Sequence, residues 1–241
     1  MKHIGLATAL SLFAISSVHA QSAGNWVVNA GWMHLAPQDS SDPLTVNALG
    51  TSATIPGSGA SVSDADTVAL SARYFVTDHI AVETLLGVPP KLRLSGTGSL
   101  STLGELGSAR VWGPSLLAQY HFGESQARLR PYVGAGISYV WFKNVELSSP
   151  IATGQFLASP TTGTALEGPT SASLKSSFAP VVNAGLTYNI DKHWSVGVSV
   201  SYAWLSTTAT LTTHSALGSV STSAKVKINP LVSFVSVGYR F

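Results

Sequence analysis

The chain has no cysteine and little charge. Without cysteine there is no disulfide framework and no thiolate metal site. Charged residues are 10% of the sequence, against about 25% in ordinary soluble domains. The formal net charge of +2 is too small to point to nucleic acid. The body of the chain also lacks any run of about 20 apolar residues, the length a membrane helix needs. Scarce charge without such a run leaves two classes: an unusually uncharged soluble β-protein, or a β-barrel in lipid.

The N-terminus bears on compartment. Lys2 is followed by a short apolar core at residues 4–15 and by Val18-His19-Ala20, a small-x-small cleavage pattern. This reads as a secretory leader, excluded from fold reasoning. The expected division is residues 1–20 as signal peptide and 21–241 as one transmembrane β-barrel domain.

What is abundant is alternation. At the C-terminus Leu231, Ser233, Val235, Val237, Tyr239 and Phe241 take one face, and Val232, Phe234, Ser236, Gly238 and Arg240 the other. Successive strand side chains point to opposite faces, so this is a strand with one greasy face that ends on the last residue. Seven more segments alternate in the same way: 24–35, 66–76, 80–88, 110–122, 130–142, 175–190 and 194–205. In the last of these, Trp194, Val196, Val198, Val200, Tyr202 and Trp204 alternate with Ser, Gly and Ala.

The connections alternate too. Residues 77–79, 123–129 and 191–193 are short turns, while 38–63, 91–109, 143–173 and 206–224 read as long loops rich in Ser, Thr, Gly and Pro. Short periplasmic turns, long external loops and aromatics at strand ends belong to outer-membrane barrels. The fold class read from the residues is therefore all-β: an eight-stranded antiparallel transmembrane β-barrel.

Eight strands enclose a lumen just wide enough for side chains or one small ligand. The inward rows carry Phe75, Leu85, Leu117, Val232 and Phe234 among many small residues. That predicts a dry, apolar interior. The inward charges Arg73, Glu83 and Arg240 fall near the short turns, with Gln119 and His121 at similar depth. Isolated charges there would be costly, so an Arg–Glu network plugging the periplasmic end is expected. The plug is either purely structural or a barrier that sends solute sideways into the bilayer. Sideways exit needs a gap in the wall, and Pro37 at the end of the first strand is the candidate for breaking the ladder there.

Four stretches resemble the OmpW family of small outer-membrane barrels: PSLLAQYHFGES with RLRPYVGAGISYVWF (114–142), TDHIAVETLLGVPP (77–90), LTYNIDKHWSVGVSVSY (186–202) and INPLVSFVSVGYRF (228–241). The RPYVGAG block at 130–136 is the most specific of them. The resemblance implies a monomeric barrel that takes up small hydrophobic compounds. Some family members conduct ions or serve as phage or colicin receptors, and these stand as alternatives to the uptake reading. It further implies a lateral opening beside the early strands, where Pro37 matches a frequent proline, and a lumen narrowed at Leu85. The aromatic partner of that constriction is replaced here by Ser201, which leaves Phe75 or Phe234 to fill its role.

No enzyme chemistry stands out. The histidines have no metal-ligand spacing and no G-x-S-x-G elbow occurs, so no catalytic residue, metal or cofactor is expected. The expected partners are small hydrophobic solutes, outer-membrane lipid and lipopolysaccharide, and the barrel-assembly machinery through Phe241.

Overall fold

Strands form where apolar side chains alternate with small or polar ones, and eight of them make a wall. They are β1 (Trp26–Ala36), β2 (Ala65–Phe75), β3 (Ile80–Gly87), β4 (Ser115–His121), β5 (Leu129–Leu147), β6 (Ser177–Asn189), β7 (Trp194–Ala203) and β8 (Leu231–Arg240). The computed structural model describes residues 22–48, 50–158 and 163–241; the leader read at 1–20 lies outside them. Each strand is antiparallel to the next in sequence, and β8 returns to β1 from Val27↔Arg240 to Ala36↔Leu231. The sheet is thus a closed cylinder. In lipid an unpaired edge N–H or C=O costs several kcal/mol, and closure removes both edges. Among the described residues no helix is long and apolar enough to cross a membrane.

Side-chain direction follows the alternation. On β7 Trp194, Val196, Val198 and Val200 are exposed on the outside, while Ser195 and Ser201 are buried inside. The outer surface is a continuous apolar band that includes Val68, Leu70, Val133, Ile137, Val235 and Val237. Aromatic pairs edge the band. Near the short turns Trp26 lies 4.9 Å from Tyr74 and Trp194 lies 5.0 Å from Tyr239. At the opposite end Tyr139 meets Phe178 at 4.7 Å and Tyr202 meets Trp204 at 5.0 Å.

The short turns are held by their own side chains. Asp191 accepts from the backbone N–H groups of His193 and Trp194, both at 2.7 Å. Those donors keep its carboxyl below the usual carboxylate range. Thr77 Oγ accepts from the Ile80 N–H at 2.9 Å.

The four long connections differ from the loops expected of them. They carry nine short strands among the described residues, gathered into two sheets that continue the wall outward. One contains Ser58–Val62, Lys91–Gly98 and Glu105–Trp112 against the upper half of β5. The other contains Thr170–Leu174, the hairpin Ser206–Ser215/Gly218–Lys227, Thr45–Ala48 and Thr51–Thr54, with Ser40–Ser41 beside the hairpin. The period of two is present in these segments, but Thr, Ser and Ala occupy it. Thr207, Thr213, Val220, Thr222 and Val226 are buried between the sheets. Threonine is β-branched and favours strands, so a polar composition does not by itself mean a loop. The strand read as continuous over 110–122 is also interrupted, at Gly113–Pro114.

The facing of β7 is testable. Val198→Arg puts a charge on the lipid side near the bilayer midplane and is expected to cost about 2–4 kcal/mol, measured by urea unfolding in lipid vesicles. Val198→Leu should be close to neutral. A neutral arginine variant would mean that Val198 does not face lipid.

Candidate functional site

The lumen has a polar floor and an apolar chamber. The floor is built by inward positions of six strands. Arg73 on β2 pairs in register with Glu83 on β3, and their side chains form a 3.1 Å ion pair that is almost wholly buried. The same Glu83 oxygen accepts from Ser71 Oγ at 2.6 Å, and the other accepts from Gln119 Nε2. The chain of bonds continues both ways. Asn29 donates to Ser71 Oγ at 2.9 Å, while Gln119 donates to Asn183 Oδ1 at 3.3 Å and Asn183 to Ser201 Oγ at 2.8 Å. A buried carboxylate is stable only when its lone pairs are filled, and here three donors fill them.

Beneath this belt lies a layer of rings and guanidinium groups. Arg73 sits over the Tyr132 ring at 4.7 Å. The His121 ring lies 4.8 Å from Tyr132 and 4.9 Å from Phe75. Arg130 covers the other part of Phe75 at 5.7 Å and donates to the Asp78 carbonyl at 2.7 Å. Phe75, His121 and Arg130 have no exposed surface, so the periplasmic end is sealed.

Above the floor Phe234 packs with Met33 and Ala69, and Leu85 and Val232 lean on them. Next comes a cavity of about 100 Å³ lined by Leu85, Leu117, Val181, Val232 and the small side chains of Ser115, Ser138 and Ser201. Its ceiling is a cluster of Val140, Ala179, Leu205, Val226 and Ile228. Between the two outer sheets follow cavities of about 60 and 120 Å³. Leu94, Leu174 and Ala209 border both. The uppermost is almost purely apolar, with Leu44, Leu100, Leu106, Ile151 and Phe156 in its wall. A dry cavity of about 150 Å³ accepts benzene. The chambers of about 100 and 120 Å³ approach the size of one small ring, while the one of about 60 Å³ between them is less than half of it, so passage requires Leu205 or its neighbours to turn.

The chamber abuts an incomplete part of the wall. The β3–β4 ladder ends at Leu85↔Ser115 and pairing resumes only at Lys91↔Arg110. Between them lie Pro89 and Pro90 on one side and Gly113 and Pro114 on the other. The prolines have no N–H to donate. Two bonds cross here among the described residues: Val111 N–H to the Pro90 carbonyl at 3.0 Å, and the Arg110 guanidinium to the Pro89 carbonyl at 3.2 Å. Gly87, Pro90 and Gly113 line the chamber at this height, and the exposed Val88 and Leu116 flank it on the lipid side.

The sequence-predicted residues fall into place unevenly. Leu85, Leu117, Val232 and Phe234 meet at the chamber and its base. Phe234, one of the two proposed partners of Leu85, packs beside it, whereas Phe75 lies in the floor with Val27 and Ala81. Phe75 is opposite Ala81 at the periplasmic end of the β2–β3 ladder, too low to partner Leu85. Arg73 and Glu83 pair, but Arg240 stands apart from them. It donates to Asn189 Oδ1 at 2.9 Å and to the Lys192 carbonyl at 3.0 Å, because it is next to the chain end and reaches the neighbouring turn. Pro37 stands just past the last β1–β2 pair, where the two strands cease to be laddered. The β1–β2 ladder runs unbroken from Trp26↔Tyr74 to Leu35↔Ala65; past it the strands part into the two outer sheets, stitched by Asp39 Oδ2 and Ser41 Oγ, which accept from Val62 and Ala60 N–H at 2.7 Å. Two features were missed by sequence reasoning. Arg130 shares the parity of inward Tyr132, and Pro114 faces the Pro89-Pro90 pair across β3 and β4; both signals were present in the spacing.

Comparison with known proteins agrees with this geometry. The model of the OmpW family matches residues 22–241. The chain belongs to the OmpW family. It is 32% identical to outer membrane protein W of Vibrio cholerae, over 98% of this chain and 97% of that one. The crystal structure of OprG from Pseudomonas aeruginosa superposes with a TM-score of 0.77 at 26% identity, covering 92% of this chain and 99% of that one. The solid-state NMR structure of AlkL in lipid bilayers gives 0.62 at 25% identity, covering 94% of each. This OmpW-family barrel is an outer-membrane protein.

The floor is open to a direct test of energetics. Glu83→Ala leaves Arg73 buried without its carboxylate and should cost about 3–5 kcal/mol, read as a lower urea midpoint. The paired change Arg73→Met with Glu83→Leu should recover most of that loss. Equal loss in both would mean that the ion pair itself, not the uncompensated charge, sets the stability.

Proposed function

We propose that this barrel is a passive conduit for small hydrophobic solutes. Solute enters between the two outer sheets, descends through the apolar chambers and leaves sideways into the lipid between β3 and β4. The observation that carries this reading is the conjunction at one height: an apolar chamber, a sealed polar floor below it, and a stretch of wall without its ladder bonds. A hydrophobic solute gains by staying in apolar surroundings. Moving down would take it through ionised, hydrogen-bonded groups; moving sideways takes it into lipid past two glycines and three prolines. No energy source is required, because the solute passes from water to a more favourable phase.

The polar layer outside the bilayer is what such a conduit has to cross. The outer sheets lift the first apolar chamber above the aromatic edge of the membrane, and their facing surfaces are dry. This supports capture of solute beyond the headgroup region.

Gly113 decides the route. A Cβ at Gly113 meets only Ser138 Oγ and Val140 Cγ2, both at 3.5 Å, so a side chain there is accommodated and projects toward the chamber. Gly113→Phe should block the gap and lower uptake of a fluorescent hydrophobic probe into outer-membrane lipid at least about fivefold, a loss of roughly 1 kcal/mol in the rate-limiting passage. The floor variant Arg73→Met with Glu83→Leu should leave uptake unchanged. Faster uptake in the floor variant, with Gly113→Phe neutral, would put the exit at the periplasmic end instead.

A further inference from the structure

The charges of the outer sheets are arranged, not scattered. Lys91 pairs with Arg110 and Arg110 with Lys143, on three adjacent strands. Directly opposed residues share a face, so three cations stand in a row on the outer surface, and all three are exposed. Arg93 lies two residues further out on the same face. Like charges set side by side across strands repel, and a row of them is stable only when an anion sits between them or solvent screens them. Among the described residues two carboxylates lie within ion-pair distance of the four cations. Glu146 holds Lys91 at 2.6 Å, and Glu105 lies 4.0 Å from Arg93. Arg110 uses one nitrogen on the Pro89 carbonyl. Lys143 has no ion-pair partner among the described residues.

The height of the row is defined by what lies beneath it. Trp112 and Trp141, two residues below Arg110 and Lys143 on the same strands, stack at 5.8 Å and 6°. Tyr139 continues the aromatic layer at 5.5 Å from Trp141. Such rings lie at the headgroup boundary. Two residues of strand rise about 7 Å, which places the cations where lipid phosphates lie. The row is also directional. On the arc of β1 and β2 the outer segments carry Asp39, Asp64 and Asp66, with Lys225 and Lys227 on the hairpin strand beside Ser40–Ser41.

We infer that Lys91, Arg110 and Lys143 form a binding site for the phosphate groups of the phosphorylated glycolipid of the outer leaflet. Closely spaced phosphates on one sugar headgroup match a row of cations on successive strands. Arg and Lys donate charge-assisted hydrogen bonds to phosphate oxygens, and basic clusters at a membrane surface are the usual readers of anionic headgroups. The site is independent of the conduit reading, since it stands on the outer face whether or not solute leaves below it.

The test uses the full barrel folded in detergent micelles, with folding checked by heat-modifiable migration in gels. Binding of bisphosphorylated lipid A, of the same lipid with its phosphates removed, and of inorganic phosphate is measured by native mass spectrometry. The bisphosphorylated lipid should bind at least tenfold more tightly than either of the others. Arg110→Gln with Lys143→Gln should weaken it about tenfold. Lys175→Gln with Lys225→Gln, which removes the same charge from the other outer sheet, should change it less than twofold. Glu146→Gln frees Lys91 and should strengthen binding, a gain that misfolding cannot imitate. Equal binding of the two lipids, equal losses in the two double variants, or full competition by inorganic phosphate at matched concentration would each overturn the assignment.

Discussion

Lipid offers no hydrogen bonds, and the whole architecture follows from that. A backbone group left unpaired in hydrocarbon costs several kcal/mol, so strands can span only as a closed ring. Here the ring closes through the β1–β8 ladder. Closure makes every alternating segment two-faced in the same sense: apolar side chains outward, the remainder inward. The same rule gives meaning to the short interval at Pro89–Pro90 and Gly113–Pro114, where the ladder lapses. A break that a soluble sheet would expose to water is exposed here to lipid, next to a dry chamber.

The interior resolves a second conflict. Eight strands leave little volume inside, and inward positions near the periplasmic end carry arginine, glutamate, histidine and glutamine. Removing these from water is unfavourable unless every charge and donor is answered. The belt from Asn29 through Ser71, Glu83 and Gln119 to Asn183 and Ser201 answers the Glu83 carboxylate and the amides across the lumen, while Arg73 Nε and His121 Nδ1 stay buried without a hydrogen-bond partner among the described residues. Rings stack beneath it. The interior therefore divides into a hydrogen-bonded polar layer and a dry apolar one, with Phe234, Met33 and Ala69 at the boundary. That division gives the lumen a direction, since water-like groups close one end and apolar surface leads from the other.

Charge is sorted by height as well. Inside, arginine serves the floor and the turn carbonyls. Outside, cations gather just beyond the aromatic layer. Glu146, whose carboxyl is lowered by the hydrogen bond and charge of Lys91, remains ionised through the neutral range and keeps Lys91 partly occupied. The low overall charge of the chain thus conceals a concentrated distribution at the two places where lipid ends.

The barrel was legible in the chain because a period of two with one apolar face has few other uses at this charge content. Trp194 to Val200 and Val235 to Phe241 declare their outward face residue by residue, and the inward depths of Arg73, Glu83 and Leu85 follow by counting. Tertiary structure decided what counting along one strand cannot reach, namely which inward residues meet. Phe234 rather than Phe75 lies beside Leu85 because the strands are staggered around the ring. Arg240 serves the neighbouring turn rather than Glu83 because it ends its strand. Between β3 and β4 the ladder lapses beside the chamber because Pro89, Pro90 and Pro114 face one another just past the strand ends, whereas past Pro37 the parted strands are stitched by Asp39 and Ser41. The outer segments became sheets because their serines and threonines found partners across the rim. Local alternation determines which way a side chain points; register, a property of pairs of strands, determines what it touches.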